Sequence, residues 1–434
     1  MVCTLTESTI SFVGHIKAVT YLALHKTDLT TSDGIDVLLA TASDDGLVIV
    51  WDCATVTKKC EISGDGELCS ALCWSAIGDT LYVAYNDVIC AYATETLLAT
   101  PSGAQPERKF TSNKDEIGQI TVDQKNQYIA AADDSGEVRI LDTHTTKQAS
   151  LLTRTHTNIC SSVSFIRDRP GECVSGGLDG KLVLWDCNRC VPKHVVDFMD
   201  VPQEGASATP MFNPPMVNCV KVSSNGRRMA AGLADGTVRV FDLVNVRSQG
   251  PGNAGKGGKG KKQKQKKPPR RVMQQIRCLR GAHRHAVSAF VMLEGCVMRN
   301  KDGENANAMS SDVKAGSSNA ESSPDSSARG VVSGNGEGEH EGKAEGLRYV
   351  DEDSLCIVSA GADKKICVWD VRDSLNDTAP EEPYDGLVSD GLLLTIKHPH
   401  TINWIDAVVV SSGGGVTVMV ADQTPNVTLY QLTF

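Results

Sequence analysis

Three times in this 434-residue chain a histidine, a hydroxyl residue and an aspartate recur in the same order ahead of a tryptophan. The sets are His15, Thr41, Asp45 and Trp51; His156, Ser175, Asp179 and Trp185; and His283, Ser359, Asp363 and Trp369. An imidazole between a hydroxyl and a carboxylate is the equipment of nucleophilic hydrolysis, in which the base takes the hydroxyl proton and the carboxylate holds the base in one tautomer. Recurrence in register argues for another use. Three identical active sites in one chain have no evident purpose, whereas a buried turn needs hydrogen-bond partners in every repeat, and each member of the set can satisfy the next. A structural network is expected, with no catalytic residue.

Two other motifs are weaker. Residues 250–257, GPGNAGKG, come close to a phosphate-binding loop, but Gly257 stands where a magnesium-holding Ser or Thr is needed and no helix-forming stretch follows. Cys187 and Cys190 make a lone CxxC beside the end of a strand, which is half a zinc site without a second half and is read as a coincidence of the loop. Neither a cofactor nor a metal is expected.

The elements that carry these residues are short strands. Residues 357–372, IVSAGADKKICVWDVR, run from an apolar pair through small residues and an Asp-centred turn into an alternating apolar strand that ends in Trp369-Asp370-Val371-Arg372. The same sentence recurs at 38–52, 173–186 and 229–242, and in blurred form at 129–142. Regular recurrence at this spacing predicts a propeller. Seven units can be counted, the second degenerate. The seventh borrows its outer strand from residues 8–13, so that the two chain ends close the ring and leave no open sheet edge there. The expectation is an all-β, seven-bladed propeller filling residues 1–434 as a single monomeric unit.

Composition agrees with a soluble protein. Net charge is −10, no apolar run nears the roughly 18 residues of a membrane span, and the first residues lack the pattern of a secretory leader. A nuclear or cytoplasmic location, not a secreted one, is expected, with the fifteen cysteines as buried thiols.

Two insertions interrupt the repeats. Residues 246–272 include GKGGKGKKQKQKKPPRR and no acid, and residues 299–353 are rich in Ser, Gly, Asn, Asp and Glu. Neither can bury enough apolar surface to order itself. The basic arm admits three readings: an import signal, a tether, or a contact for nucleic acid through residues 256–271. Any such contact would not be sequence-specific, since bases have no aromatic side chain to stack on. In an up-and-down blade the first-to-second and third-to-fourth links share one ring face, which puts both insertions and Arg372 on the same side. The opposite rim would carry Lys17, Glu67, Glu116, Asn158, Arg284 and Asn403 as candidate partner-binding residues.

The repeats resemble WD repeats, a resemblance that makes each His–Ser/Thr–Asp–Trp set a buried tetrad. Residues 357–372 resemble more specifically the WDxR box of WD-repeat substrate receptors of cullin-4 RING ubiquitin ligases, which implies that Trp369, Asp370 and Arg372 bind the ligase adaptor. Longer strings, THTNICSSVSF at 155–165, AADDSGEVRILD at 131–142 and VMVADQTPNVTLYQL at 418–432, are similar to the family of WD repeat-containing protein 53. That likeness covers the chain from about the third unit onward and implies a candidate cullin-4 receptor with a protein substrate the sequence does not name. The other reading is a general nuclear scaffold, in an RNA-processing or other assembly, that uses the basic arm.

Overall fold

A computed structural model of the chain describes residues 4–31, 34–167, 169, 171–200, 213–246, 270–294, 355–371, 391–410 and 415–433. These residues form seven antiparallel sheets of four strands each. Six of the sheets take their strands in chain order. In the seventh, Thr4–Val13 pairs with Asn426–Thr433 outside Gly415–Asp422 and Ile402–Val410. The two ends of the chain therefore share one blade, as the sequence leads one to expect.

The strands form where alternation predicts them. Ile117–Val122, Tyr128–Asp133 and Val138–Asp142 of blade 3 follow the blurred repeat, and Cys160–Phe165, Glu172–Gly177 and Lys181–Asp186 of blade 4 follow the sharp one. Both faces of each middle strand are buried, as in Lys181–Asp186, whose four central residues are all buried, because every sheet packs between two others. The core is a set of interblade layers. Ile140, Val163, Val183 and Trp185 fill the space between blades 3 and 4, and Phe12, Leu22, Ile49, Trp51 and Met419 fill the one between blades 7 and 1.

One irregularity is common to all seven blades. The pairing of each inner strand with the second strand slips at its second residue, at Thr20, Ser70, Gly118, Ser161, Asn218, Ser288 and Asn403. A bulge of this kind bends the strand and re-aims the extra side chain. Ser161, Asn218 and Asn403 use it to donate to the carbonyls of Val217, Val287 and Val19, each the first residue of the next blade's inner strand.

Two features depart from the repeat. Blade 2 joins its third strand, Val88–Ala93, to a three-residue outer strand, Arg108–Phe110, through a six-residue helix, Thr94–Ala99. In blade 5 the basic stretch is shorter than residues 246–272. Val246 closes the third strand, and Arg270–Leu279 is the outer one. Arg271 pairs there with Glu172 of blade 4 at 2.9 Å and is buried, so it belongs to the propeller and not to an arm. Residues 247–269 and 299–353 otherwise lie outside the described residues. The strand ends that bound both insertions lie on one ring face, where Glu294 at the end of blade 6's inner strand accepts the backbone amide of Ser224 from the adjacent turn of blade 5.

Candidate functional site

The structure brings together all three sets of polar residues. In blade 4, His156 Nε2 lies 2.7 Å from Ser175 Oγ, His156 Nδ1 lies 3.0 Å from Asp179, and the Trp185 indole donates to the same Ser175 oxygen at 2.7 Å. Blade 1 repeats this with His15 Nε2 2.8 Å from Thr41 Oγ1, Nδ1 3.0 Å from Asp45, and Trp51 Nε1 2.9 Å from Thr41. Blade 6 does so with His283, Ser359, Asp363 and Trp369 at 2.8 to 2.9 Å. The sequence places the residues in this way because the histidine precedes the inner strand, the hydroxyl sits mid-way along the second, the aspartate makes the turn, and the tryptophan faces back from the third.

Hydroxyl, imidazole and carboxylate thus meet in the order of a hydrolase triad, and burial decides what they do. Thr41, Ser175 and Ser359 are 0% exposed, and each oxygen already accepts an indole N–H. A nucleophile has to reach a substrate, and these face only protein. The aspartates close the network onto the chain: Asp179 also accepts the amides of Thr157 and Lys181, Asp45 those of Ile16 and Leu47, and Asp363 that of Arg284. Burial pushes Asp179 upward, but the His156 hydrogen bond and the Thr157 amide outweigh it and hold the carboxyl below its usual range. Asp45 and Asp363 end below it for the same reasons. Burial, partly offset by Asp45, lowers His15, which leaves a neutral ring accepting from Thr41 and donating to Asp45.

Two further polar networks tie the segment before the inner strand to the end of the second strand, with other residue types. In blade 7, buried His398 reaches Asp422 through Nε2 at 2.7 Å and Tyr430 through Nδ1 at 2.8 Å. Asp422 ends the second strand, two places before the turn position that Asp179 holds in blade 4, so the pattern of the tetrads does not find it. In blade 3, Asp133 accepts from Asn113 at 3.1 Å and pairs with Arg139 at 3.5 Å, both charges being almost wholly enclosed. By register Ala131 and Leu141 stand where Ser175 and Trp185 stand one blade on, and Asp133 stands at the place of Gly177.

Lys17, Glu67, Glu116, Asn158 and Arg284 stand exposed before their inner strands. Asn403 is half-buried, and its amide is committed to Val19. Trp369 is 1% exposed, so its indole serves the tetrad, while Asp370 at the strand end is half-exposed and Arg372 lies outside the described residues. On the ring axis a cavity of about 340 Å³ is lined by Tyr21, stacked on Trp404 at 3.9 Å, and by Gln119, Lys221 and Asp406. Among the described residues, no group of three or more His, Cys, Asp or Glu could hold a metal, and no helix is long and apolar enough to cross a membrane.

The model of the WD domain, G-beta repeat, matches residues 6–52, 212–242 and 339–370, whose described residues are the outer strand of blade 7 with blade 1, part of blade 5 and part of blade 6. A WD repeat-containing protein 53 homolog from Dictyostelium discoideum is 28% identical over 221 residues, 48% of this chain and 59% of that protein. Guanine nucleotide-binding protein beta subunits of Zea mays and Nicotiana tabacum are 26% and 27% identical over 212 residues, about half of each protein. The chain spans between half and three fifths of the length of the curated relatives it matches. Seven four-stranded sheets, tetrads in three of them and matches to the repeat model in three stretches make this chain a seven-bladed β-propeller carrying WD repeats.

Proposed function

We propose that the propeller is a substrate receptor that docks on the adaptor of a cullin-4 RING ubiquitin ligase through the end of blade 6's third strand. The observation that carries this reading is how firmly that end is held. Trp369 is tied to Ser359, Val371 is fully buried with its amide on the Leu355 carbonyl, and Asp370 donates its own amide to Gly391. The chain up to Val371 is therefore held at a fixed point of the blade. In the WDxR box that these residues resemble, the next residue, here Arg372, offers its planar guanidinium to the adaptor, a donor fork suited to a protein interface. Trp369 would support that contact from inside and not touch the partner. The exposed rim residues Lys17, Glu67, Glu116, Asn158 and Arg284 lie on the other ring face and would be left for the recruited substrate.

Affinity purification of wild type beside Arg372→Ala, read by mass spectrometry, tests the reading. Adaptor recovery should fall about tenfold or more, the size of a lost interface hot spot, with the melting temperature unchanged. Equal recovery would remove the proposal and leave a general scaffold, whose mark would be salt-sensitive polyanion binding that disappears on deleting residues 247–269.

A further inference from the structure

The CxxC spacing joins Cys187 to Cys190, yet the sulfur in contact with Cys187 is that of Cys173. The two sulfurs are 3.4 Å apart. Cys173 lies opposite Trp185 in the sheet, and Cys187, two residues further on, bonds its amide to the Gly171 carbonyl. The thiols are thus diagonal neighbours between adjacent strands, a shift of about 1.4 Å from the roughly 2.05 Å of a disulfide. Cys173 is 0% and Cys187 3% exposed, so no oxidant meets either directly. Cys190 is exposed on the turn that follows, with its sulfur 3.6 Å from the Cys187 carbonyl oxygen.

We infer that blade 4 contains a thiol relay: Cys190 takes oxidation from a hydroperoxide at the surface and hands it through Cys187 to a buried Cys173–Cys187 disulfide. The steps balance. The Cys190 thiolate attacks hydrogen peroxide, breaks the O–O bond and becomes a sulfenic acid with release of one water. Cys187 displaces the hydroxyl from that sulfur, which forms the 187–190 disulfide and a second water. Cys173 then attacks Cys187, the 187–190 bond breaks, and the Cys173 proton ends on Cys190. In sum, two thiols and one peroxide give one disulfide and two waters, with Cys190 returned.

The last step is slow by construction. The hydrogen bond with Cys187, together with burial, holds the Cys173 thiol well above its ordinary range, so little of it is thiolate. Exchange on the scale of minutes to hours is expected. The product would bridge two strands of one blade and shut a loop that the unfolded chain also has to keep closed, which raises the melting temperature.

The test uses the full reduced chain, treated with hydrogen peroxide, quenched by alkylation and digested with trypsin. Cleavage after Lys181 and Arg189 puts the three cysteines on three peptides, so each pairing has its own mass. A dithiothreitol-reversible link between Cys173 and Cys187 should accumulate, and Cys190→Ser should slow it at least fivefold. In Cys173→Ala, oxidation should stop at the 187–190 pair. Should circular dichroism show that variant unfolded, the comparison with Cys190→Ser decides alone. Over-oxidised Cys190 with no 173–187 link, or an undiminished rate in Cys190→Ser, overturns the relay.

Discussion

The side-chain amide of Asn403, in the inner strand of the last blade, donates to the carbonyl of Val19 in the first at 2.8 Å. It stands at the bulge that all seven inner strands share, and Asn218 makes the same bond to Val287 two blades earlier. The seam between blades 7 and 1 is thus fastened on the inside by Asn403 and on the outside by the pairing of Thr4–Val13 with Asn426–Thr433. The join that the chain itself does not cover lies inside blade 7, between Thr4–Val13 and Asn426–Thr433, and the amides of Val19 and Leu24 on Thr424 and Asp406 share with Asn403 the work of holding blade 1 against that blade.

Asn403→Ala should therefore destabilise the propeller by about 1–2 kcal/mol, the cost of a half-buried carbonyl left without its donor. Thermal melting would show a fall of a few degrees. Asn403→Asp should do no better, since a carboxylate cannot donate to Val19. No change in either variant would mean that the other contacts between blades 7 and 1 carry the join without Asn403.

Ser175 accepts from Trp185 and bonds His156 on one oxygen, so Ser175→Ala strands two buried polar groups at once. A loss of about 2–4 kcal/mol follows from two unsatisfied partners. Ser175→Thr should recover most of it, because Thr41 does the same work in blade 1 with distances of 2.8 and 2.9 Å. Denaturant titration of the three proteins checks the order wild type, Thr, Ala.

How much of this could be read from the chain depends on which residue types do the job. Where Trp, Ser or Thr, His and Asp supply the network, as in blades 1, 4 and 6, spacing is enough, because those four residues have few other reasons to recur together. Blade 7 replaces tryptophan and serine with Tyr430, and blade 3 has none of the four at their places and builds its network from Asn113, Asp133 and Arg139, so no pattern built on the first kind finds them. Arg271 was hidden by its neighbours: it ends a run of lysines and arginines, and only the pairing of Arg270–Leu279 with Val238–Val246 shows that its charge is spent on Glu172. Cys173 and Cys187 belong to different elements, and their contact follows from register, which a count of residues does not contain.

The blade 3 network makes its own prediction. Asp133 is 0% exposed and faces a guanidinium with 2% exposed, and a buried ion that loses its partner costs more than one replaced by an apolar side chain. Arg139→Met leaves Asp133 a buried carboxylate without its cation and should cost about 3–5 kcal/mol, and Asp133→Ala clearly less, because Arg139 keeps Glu137 and Gln148. Equal losses would show that Glu137 and Gln148 do not compensate the buried guanidinium once Asp133 is gone.

The tetrads also set the response to acid. Asp45, Asp179, Asp363 and Asp422 all have folded pKa values below their usual ones, as burial is outweighed by hydrogen bonds to histidine and backbone amides. A carboxyl whose pKa is lower folded than unfolded stabilises the fold above the unfolded value of about 3.9 and loses that contribution as pH falls through the folded one. His15 is lowered from 6.5, chiefly by burial, so the unfolded chain takes up its proton first and stability declines as pH drops below that value. Melting temperature should be level near pH 7, slope gently downward below about 6.5 and drop steeply below about 4. Asp179→Asn isolates one of the contributions. It should melt several degrees below wild type at pH 7, and the gap should close toward pH 3 as the wild-type carboxylate takes up its proton. A gap that stayed constant down to pH 3 would place the value of Asp179 in its shape and not in its charge.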